Sequence, residues 1–254
     1  ALLAPYPQDA EEKILLHFHG GAYCLGERSL SHLFIYANAS SATGLRVFSP
    51  DYGLAPRYCF PQQLHDCYIA YRYLVGNGFK PSNIFLGGDS AGGTLVLGLL
   101  LLLKDMQMEM PRAAMLVSPW VDVTCPGESW TTNRNLDYLP AFSLDDPFHP
   151  TRMFYDAGRP FSQCMLQELR CPLVSPIYGD LSGLPPLLVQ MGQNELLHDD
   201  ICELVAKVKK QNRGRENAVQ MEVYDDMPHV FVLFDFTDAA KRAFESMAQF
   251  VQTA

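Results

Sequence analysis

Gly88-Asp89-Ser90-Ala91-Gly92 lies between Ile84-Phe85-Leu86-Gly87, which reads as a short buried strand, and residues 93–104, which read as a mostly apolar helix. A serine on the sharp turn between two such elements would present its hydroxyl above the edge of a sheet. The glycines on either side would let neighbouring backbone approach closely. G-x-S-x-G is common by chance, so its weight comes from context. His19-Gly20-Gly21-Ala22 upstream and His229 far downstream supply that context.

On both sides of this turn, strands and helices alternate. Ile14–Phe18 has strand character and ends at Gly20-Gly21. Residues 31–43 carry helical spacing through Leu33, Tyr36, Ala37 and Ala39, and 45–48 return to strand. A helix follows from Pro61 or Gln62 to Val75, with proline in its first turn and Leu64, Cys67, Tyr68, Tyr71 and Leu74 as its stripe. Ala113–Val117, 187–191 and Val219–Tyr224 complete the strands, with helices over about 200–211 and 236–251. Six strands alternating with helices imply an α/β fold with a mostly parallel sheet covered on both faces.

Residues 120–185 break this rhythm. They carry Trp120, Trp130, Tyr138, Phe142, Phe148, Phe154, Tyr155 and Phe161 among Pro, Asp, Asn and Gly. Structureless connections rarely exceed about 15 residues. The stretch is therefore read as a partly helical lid over the carboxyl end of the sheet, where ligands of open α/β sheets bind. The expected division is a first core segment over 1–119, a lid insertion over 120–185 and a second core segment over 186–254.

Composition excludes several classes. The 254 residues are 48% hydrophobic and 19% charged, which is globular. The formal charge is −9 and the basic residues are scattered. The densest group, Lys207, Lys209, Lys210, Arg213 and Arg215, reads as a solvated helix end, so no nucleic-acid partner is expected. Cys24, Cys59, Cys67, Cys125, Cys164, Cys171 and Cys202 show no C-x-x-C pairing and read as free thiols in a reducing compartment. No basic-then-apolar leader precedes the first strand, and the apolar run 95–103 is about half the length that spans a bilayer. A cytoplasmic location without stable membrane insertion is the expectation. No clustered Cys/His spacing suggests a metal, no G-x-G-x-x-G follows a strand, and no cofactor is expected.

A serine hydroxyl is a weak nucleophile at neutral pH and needs a base within about 3 Å. Among the seven histidines, His229 follows the strand Val219–Tyr224 through Asp225-Asp226-Met227-Pro228, where it can overhang the same sheet end. His198 competes, but beside Asp199-Asp200 it reads as a surface residue. A carboxylate must orient the base. Glu195, after strand 187–191, is favoured, with Asp199, Asp200, Asp225 and Asp226 as alternatives. Consecutive amides of Gly20 and Gly21, with that of Ala91, would form an oxyanion hole. His19 is read as organising that loop.

These segments together resemble the hormone-sensitive lipase family of α/β-hydrolases. His19-Gly20-Gly21-Ala22-Tyr23 resembles its oxyanion motif, Asp51-Tyr52-Gly53-Leu54-Ala55-Pro56 its D-Y-R-L-A-P segment, and Gly88-Asp89-Ser90-Ala91-Gly92-Gly93 its nucleophile elbow. Ser118-Pro119-Trp120-Val121-Asp122 and Pro185-Pro186-Leu187 resemble the segments flanking its cap. Gly192 to Asp199 falls on its G-x-x-D-x-L-x-D acid segment, with Glu195 where aspartate is commoner. Gly53 replaces the usual arginine. Only eighteen residues precede His19, whereas the family has two further strands and an N-terminal cap portion there; these are expected to be missing. The resemblance implies a serine carboxylesterase acting on short- to medium-chain acyl esters with an apolar portion, through an acyl-enzyme, and is compatible with a homodimer, whose interface nothing in the sequence specifies. An amidase or formamidase with the same residues, and a non-catalytic ligand-binding protein on the same scaffold, are the alternatives.

Overall fold

A parallel strand covered on both faces must be apolar at successive positions, not alternate ones. The inner strands meet that requirement. The computed structural model describes residues 7–9, 11–26, 32–140, 143–156, 159 and 162–254. Ala1, Ser31 of the first expected helix, and Phe142 and Phe161 of the aromatic insertion lie outside the described residues. Among the described residues, β1 (Ile14–Phe18), β2 (Arg46–Phe48), β3 (Ile84–Asp89), β4 (Ala113–Val117), β5 (Leu187–Gly192) and β6 (Val219–Tyr224) form one sheet. Its order is β2-β1-β3-β4-β5-β6, and every neighbouring pair is parallel. β1, β3, β4 and β5 are buried at every position, whereas the outermost β2 and β6 are partly exposed.

The strand period of two divides the core between the faces. Leu15, Phe85, Met115 and Leu188 point to one side. There they join Ile35 and Ala39 of α1 (Leu33–Thr43) and Phe244 and Met247 of α8 (Asp238–Thr253). Leu16, Leu86, Leu116 and Val189 point to the other. They join Leu64 and Leu74 of α2 (Gln62–Gly76), Leu95 and Leu99 of α3 (Ala91–Asp105) and Ile201 and Leu204 of α7 (His198–Gln211). α3 is buried along nearly its whole length, which accounts for its apolar run. No helix among the described residues is long and apolar enough to cross a membrane. All seven cysteines are free thiols.

Helix ends differ from the sequence expectation for local reasons. α8 starts at Asp238, not Phe236, because the Thr237 hydroxyl accepts from the Ala240 amide at 3.1 Å. α7 starts at His198, placing Asp199 and Asp200 in a first turn where negative charge is favoured. α3 begins directly after Ser90, so its first amides face the rim of the sheet.

Among its described residues, the stretch 120–185 contains three short helices, α4 (Ser129–Thr132), α5 (Pro150–Asp156) and α6 (Gln163–Leu169). Phe154 of α5 is buried and stacks on Tyr23 after β1, with ring centroids 3.7 Å apart. The end of the stretch returns to the core. The 3-10 turn Pro176–Tyr178 packs on α3 and α7, and Leu181 and Leu184 are fully buried.

Candidate active site

Parallel strands deliver their carboxyl ends to one rim, and the loops after β1, β3, β5 and β6 meet there. Ser90, between β3 and α3, has φ +52° and ψ −121°, a conformation few non-glycine residues adopt. The tight turn has steric consequences on both sides. A Cβ at Gly88 would lie 2.4 Å from the Gly92 carbonyl oxygen, and one at Gly92 would lie 2.0 Å from that of Phe18. Both glycines are therefore required by backbone approach. The elbow is held by the Ser90 amide donating to Val117 O at 2.9 Å and the Trp120 amide donating to Ser90 O at 3.0 Å.

His229 is buried, and its Nε2 lies 2.9 Å from Ser90 Oγ. Its Nδ1 lies 3.1 Å from Glu195 Oε2. A carboxylate can only accept, so Nδ1 carries the proton and Nε2 is left to accept from the serine hydroxyl. Glu195 is fully buried. Burial raises its carboxyl above the usual carboxylate range, opposed chiefly by the hydrogen bond to His229. The extra methylene of glutamate is thus accommodated. The turn bearing His229 is held by Val230, at φ +45°, whose amide donates to Ser118 Oγ at 3.0 Å.

The competing residues lie elsewhere. His198 Nδ1 is 3.1 Å from Asp199 Oδ1 at the start of α7. Asp199 Oδ2 accepts the Ser129 amide at 2.8 Å. Asp200 Oδ2 accepts the Trp130 indole N–H at 3.0 Å, and burial lifts its carboxyl to about 7. Asp225 and Asp226 are exposed.

One expected oxyanion donor needs correction. The Gly20 amide is committed to Asp89 Oδ2 at 3.1 Å, and the His32 Nε2–H donates to the same oxygen at 3.1 Å. An N–H that already serves a buried carboxylate is not available to a reacting carbonyl. The hydrogen bonds of the described residues leave the amides of Gly21, Ala22 and Ala91 uncommitted, and Gly21 and Ala22 line the cavity at Ser90. Ala22 and Tyr23, at φ +53° and +63°, turn this loop sharply. His19 organises it: its ring stacks on Tyr52 at 4.3 Å, and the Tyr52 hydroxyl donates to His19 O at 2.6 Å.

Burial alone would raise the Asp89 carboxyl, but the His32 hydrogen bond, with the charges of His32, His17 and His19, outweighs it and holds it below its ordinary value. Burial likewise lowers His32, yet Asp89 prevails and its ring is raised. Neither residue was picked out by sequence. Asp89 sits at a variable position of the motif, and His32 carries no local signal.

A cavity of about 320 Å³ opens at Ser90. Its wall is mainly apolar, with Trp120, Trp130, Tyr138, Leu139, Leu197 and Leu233 around Ser90 and His229.

Residues 15–233 match a family model described as alpha/beta hydrolase fold. The chain is 35% identical over 251 residues to an acetyl-hydrolase of Streptomyces hygroscopicus, covering 98% of this chain and 78% of that protein. It is 32% identical over 252 residues to an esterase of Acinetobacter venetianus, covering 96% and 76% respectively. A crystal structure of an esterase from the bacterial hormone-sensitive lipase family superposes with a TM-score of 0.82 at 36% identity, covering 98% of this chain and 79% of that one. Likeness in sequence and in fold extends over nearly all of these residues, and the chain belongs to the hormone-sensitive lipase family of α/β-hydrolases, as an enzyme of the serine-hydrolase type acting on esters.

Proposed function

We propose that this protein is a carboxylesterase for short- to medium-chain acyl esters, with Ser90 as nucleophile, His229 as base and Glu195 as the acid that orients it. The observation that carries this reading is the line from Ser90 Oγ to His229 Nε2, 2.9 Å, and from His229 Nδ1 to Glu195 Oε2, 3.1 Å, at the floor of an apolar cavity. The serine hydroxyl loses its proton to Nε2 as Oγ bonds to the ester carbonyl carbon. Glu195 stabilises the imidazolium that results. The negative charge that develops on the carbonyl oxygen is met by the amides of Gly21, Ala22 and Ala91, with Ala22 replacing Gly20 in the original expectation. Collapse breaks the bond to the alcohol oxygen, which takes the proton from Nε2 as it leaves. Water then gives a proton to Nε2, attacks the acyl carbon, and frees the acid while Ser90 regains its hydrogen.

The cavity volume lies at the lower end of the range for small-molecule sites, about 300–1,000 Å³, which favours a short or medium acyl chain. Its aromatic and aliphatic wall favours an apolar substrate. The stretch 120–185 serves as the lid through its first part, which carries Trp120, Trp130, Tyr138, Leu139 and Pro140 of that wall.

The test is covalent labelling with an organophosphonate, followed by peptide mapping, in the parent and in Ser90→Ala. Labelling on the Ser90 peptide of the parent and its loss in the variant are expected; undiminished labelling of Ser90→Ala would overturn the assignment. A panel of p-nitrophenyl esters from acetate to palmitate, with matched amides, should show kcat/KM highest at the short and medium esters. A maximum at palmitate or on the amides would refute the substrate class.

A further inference from the structure

We propose that Asp137 is a positioning residue that sets the geometry between the acid and the base of this site, and that through it the cavity wall and the reacting groups form one mechanical unit. This rests on the reading of Ser90, Glu195 and His229 given above. Asp137 lies in the first part of the insertion, just before the wall residues Tyr138, Leu139 and Pro140. Its Oδ1 accepts the backbone amide of His229 at 3.2 Å. Its Oδ2 accepts the backbone amide of Leu196, the neighbour of Glu195, at 2.8 Å. The two loops leave different strands, β6 and β5, and one side chain from a third segment joins them.

A carboxylate side chain suits this task because each of its two oxygens lies on a different backbone amide. An amide side chain offers one accepting oxygen, and a hydroxyl has too short a reach to span two loops. The same segment holds the acid loop at two more points. Asn133 Nδ2 donates to Glu195 O at 3.0 Å, and Ser129 Oγ donates to Leu196 O at 2.6 Å. Trp130, between them in sequence, lines the cavity and is itself fastened to Asp200. Residues 129–140 thus present a cavity wall on one side and fastenings of the acid and base loops on the other. Displacing the wall displaces the fastenings. The separation of Glu195 and His229 is therefore set jointly by the sheet and by the insertion.

The experiment compares the parent, Asp137→Ala and Asp137→Asn by kcat and KM on p-nitrophenyl acetate, by the rate of phosphonate labelling of Ser90, and by thermal unfolding. For Asp137→Ala, kcat and the labelling rate should fall together by about 10- to 100-fold, the loss expected when a reacting group is displaced by about an ångström. KM for this small ester should stay within about threefold, because its acetyl group scarcely uses the wall. Asp137→Asn keeps one acceptor and should fall in between. A merely structural role would lower Tm while leaving kcat per folded molecule and the labelling rate unchanged. Folded Asp137→Ala with both rates within about twofold of the parent overturns the proposal. Should that variant fail to fold, folded Asp137→Asn decides on the same criterion. Failure of both to fold also overturns it, because positioning presupposes a sheet that forms without Asp137. Ser90→Ala is measured alongside: if it still hydrolyses the ester, the reading of the site is wrong. If it is inactive while the Asp137 variants match the parent, only the present inference fails.

Discussion

Two buried histidine–carboxylate pairs flank Ser90, and their dimensions are the same. His229 meets Glu195 at 3.1 Å, and His32 meets Asp89 at 3.1 Å. They differ in which ring nitrogen the carboxylate takes. Glu195 engages Nδ1, so His229 presents Nε2 to the Ser90 hydroxyl. Asp89 engages Nε2, and the oxygen it uses also gathers in the Gly20 amide. Residues of both pairs line the cavity, but one pair presents a ring nitrogen to the Ser90 hydroxyl while the other holds the backbone of Gly20 beside it. A His–carboxylate contact is therefore not in itself a reactive device; the two pairs are told apart by which ring nitrogen the carboxylate engages and by whether the ring meets the serine hydroxyl.

This contrast can be broken by experiment. The largest effect is expected for Ser90→Ala and His229→Ala, each lowering kcat by roughly 10⁴- to 10⁶-fold in ester hydrolysis with little change in Tm. Glu195→Gln keeps shape but removes the negative charge that stabilises the imidazolium and offers Nδ1 an amide N–H that favours the wrong tautomer, and kcat should fall by about 10³- to 10⁴-fold. Asp89→Ala should invert the pattern. It removes the buried carboxylate that accepts from both His32 Nε2 and the Gly20 amide, and should cost about 3–5 kcal/mol of stability in denaturant unfolding, with a smaller loss of kcat. If instead Asp89→Ala matched Glu195→Gln in kcat at unchanged stability, the division of roles would be wrong.

The smallest effect is a pH dependence. His32 is raised in the folded protein above its ordinary 6.5, so its contribution is fully present below that pH and is lost as pH rises through the folded value. Asp89 is lowered below its ordinary 3.8, so its contribution is present above that pH and is lost as pH falls through the folded value. Both contributions coexist near pH 5. The stability difference between the parent and His32→Gln should be greater at pH 5 than at pH 9, by about 1–2 kcal/mol. Equal differences at the two pH values would remove the ionic component from this pair.

Much of the fold was legible because its signals are local. Ala113–Val117, an apolar run closed by Ser118-Pro119, and Val219–Tyr224, a mixed run closed by Asp225-Asp226, appear with the expected bounds because the residues that end them are local. The elbow was legible because Gly88 and Gly92 have no substitutes at their backbone contacts. The positions of Glu195 and His229 were legible because parallel strands must discharge their loops at one rim. Gly20 was misjudged for a different reason. Whether its amide is free depends on Asp89, sixty-nine positions away, and on His32, twelve away. Asp137 belonged to no periodicity or motif, and its significance lies in two backbone amides 59 and 92 positions further along the chain.

The order of elements, the two-sided burial of the inner strands and the turn that exposes Ser90 were determined by the sequence alone. Each depends on residues within a few positions of one another, where steric exclusion and hydrophobic period act directly. Only the tertiary structure decided which amides remain available to a reacting carbonyl, which of two alike histidine pairs reaches the Ser90 hydroxyl, and how the insertion grips the acid and base loops. A hydrogen-bonding group can be used up by a partner at any distance along the chain, and that allocation exists only once the chain has closed on itself.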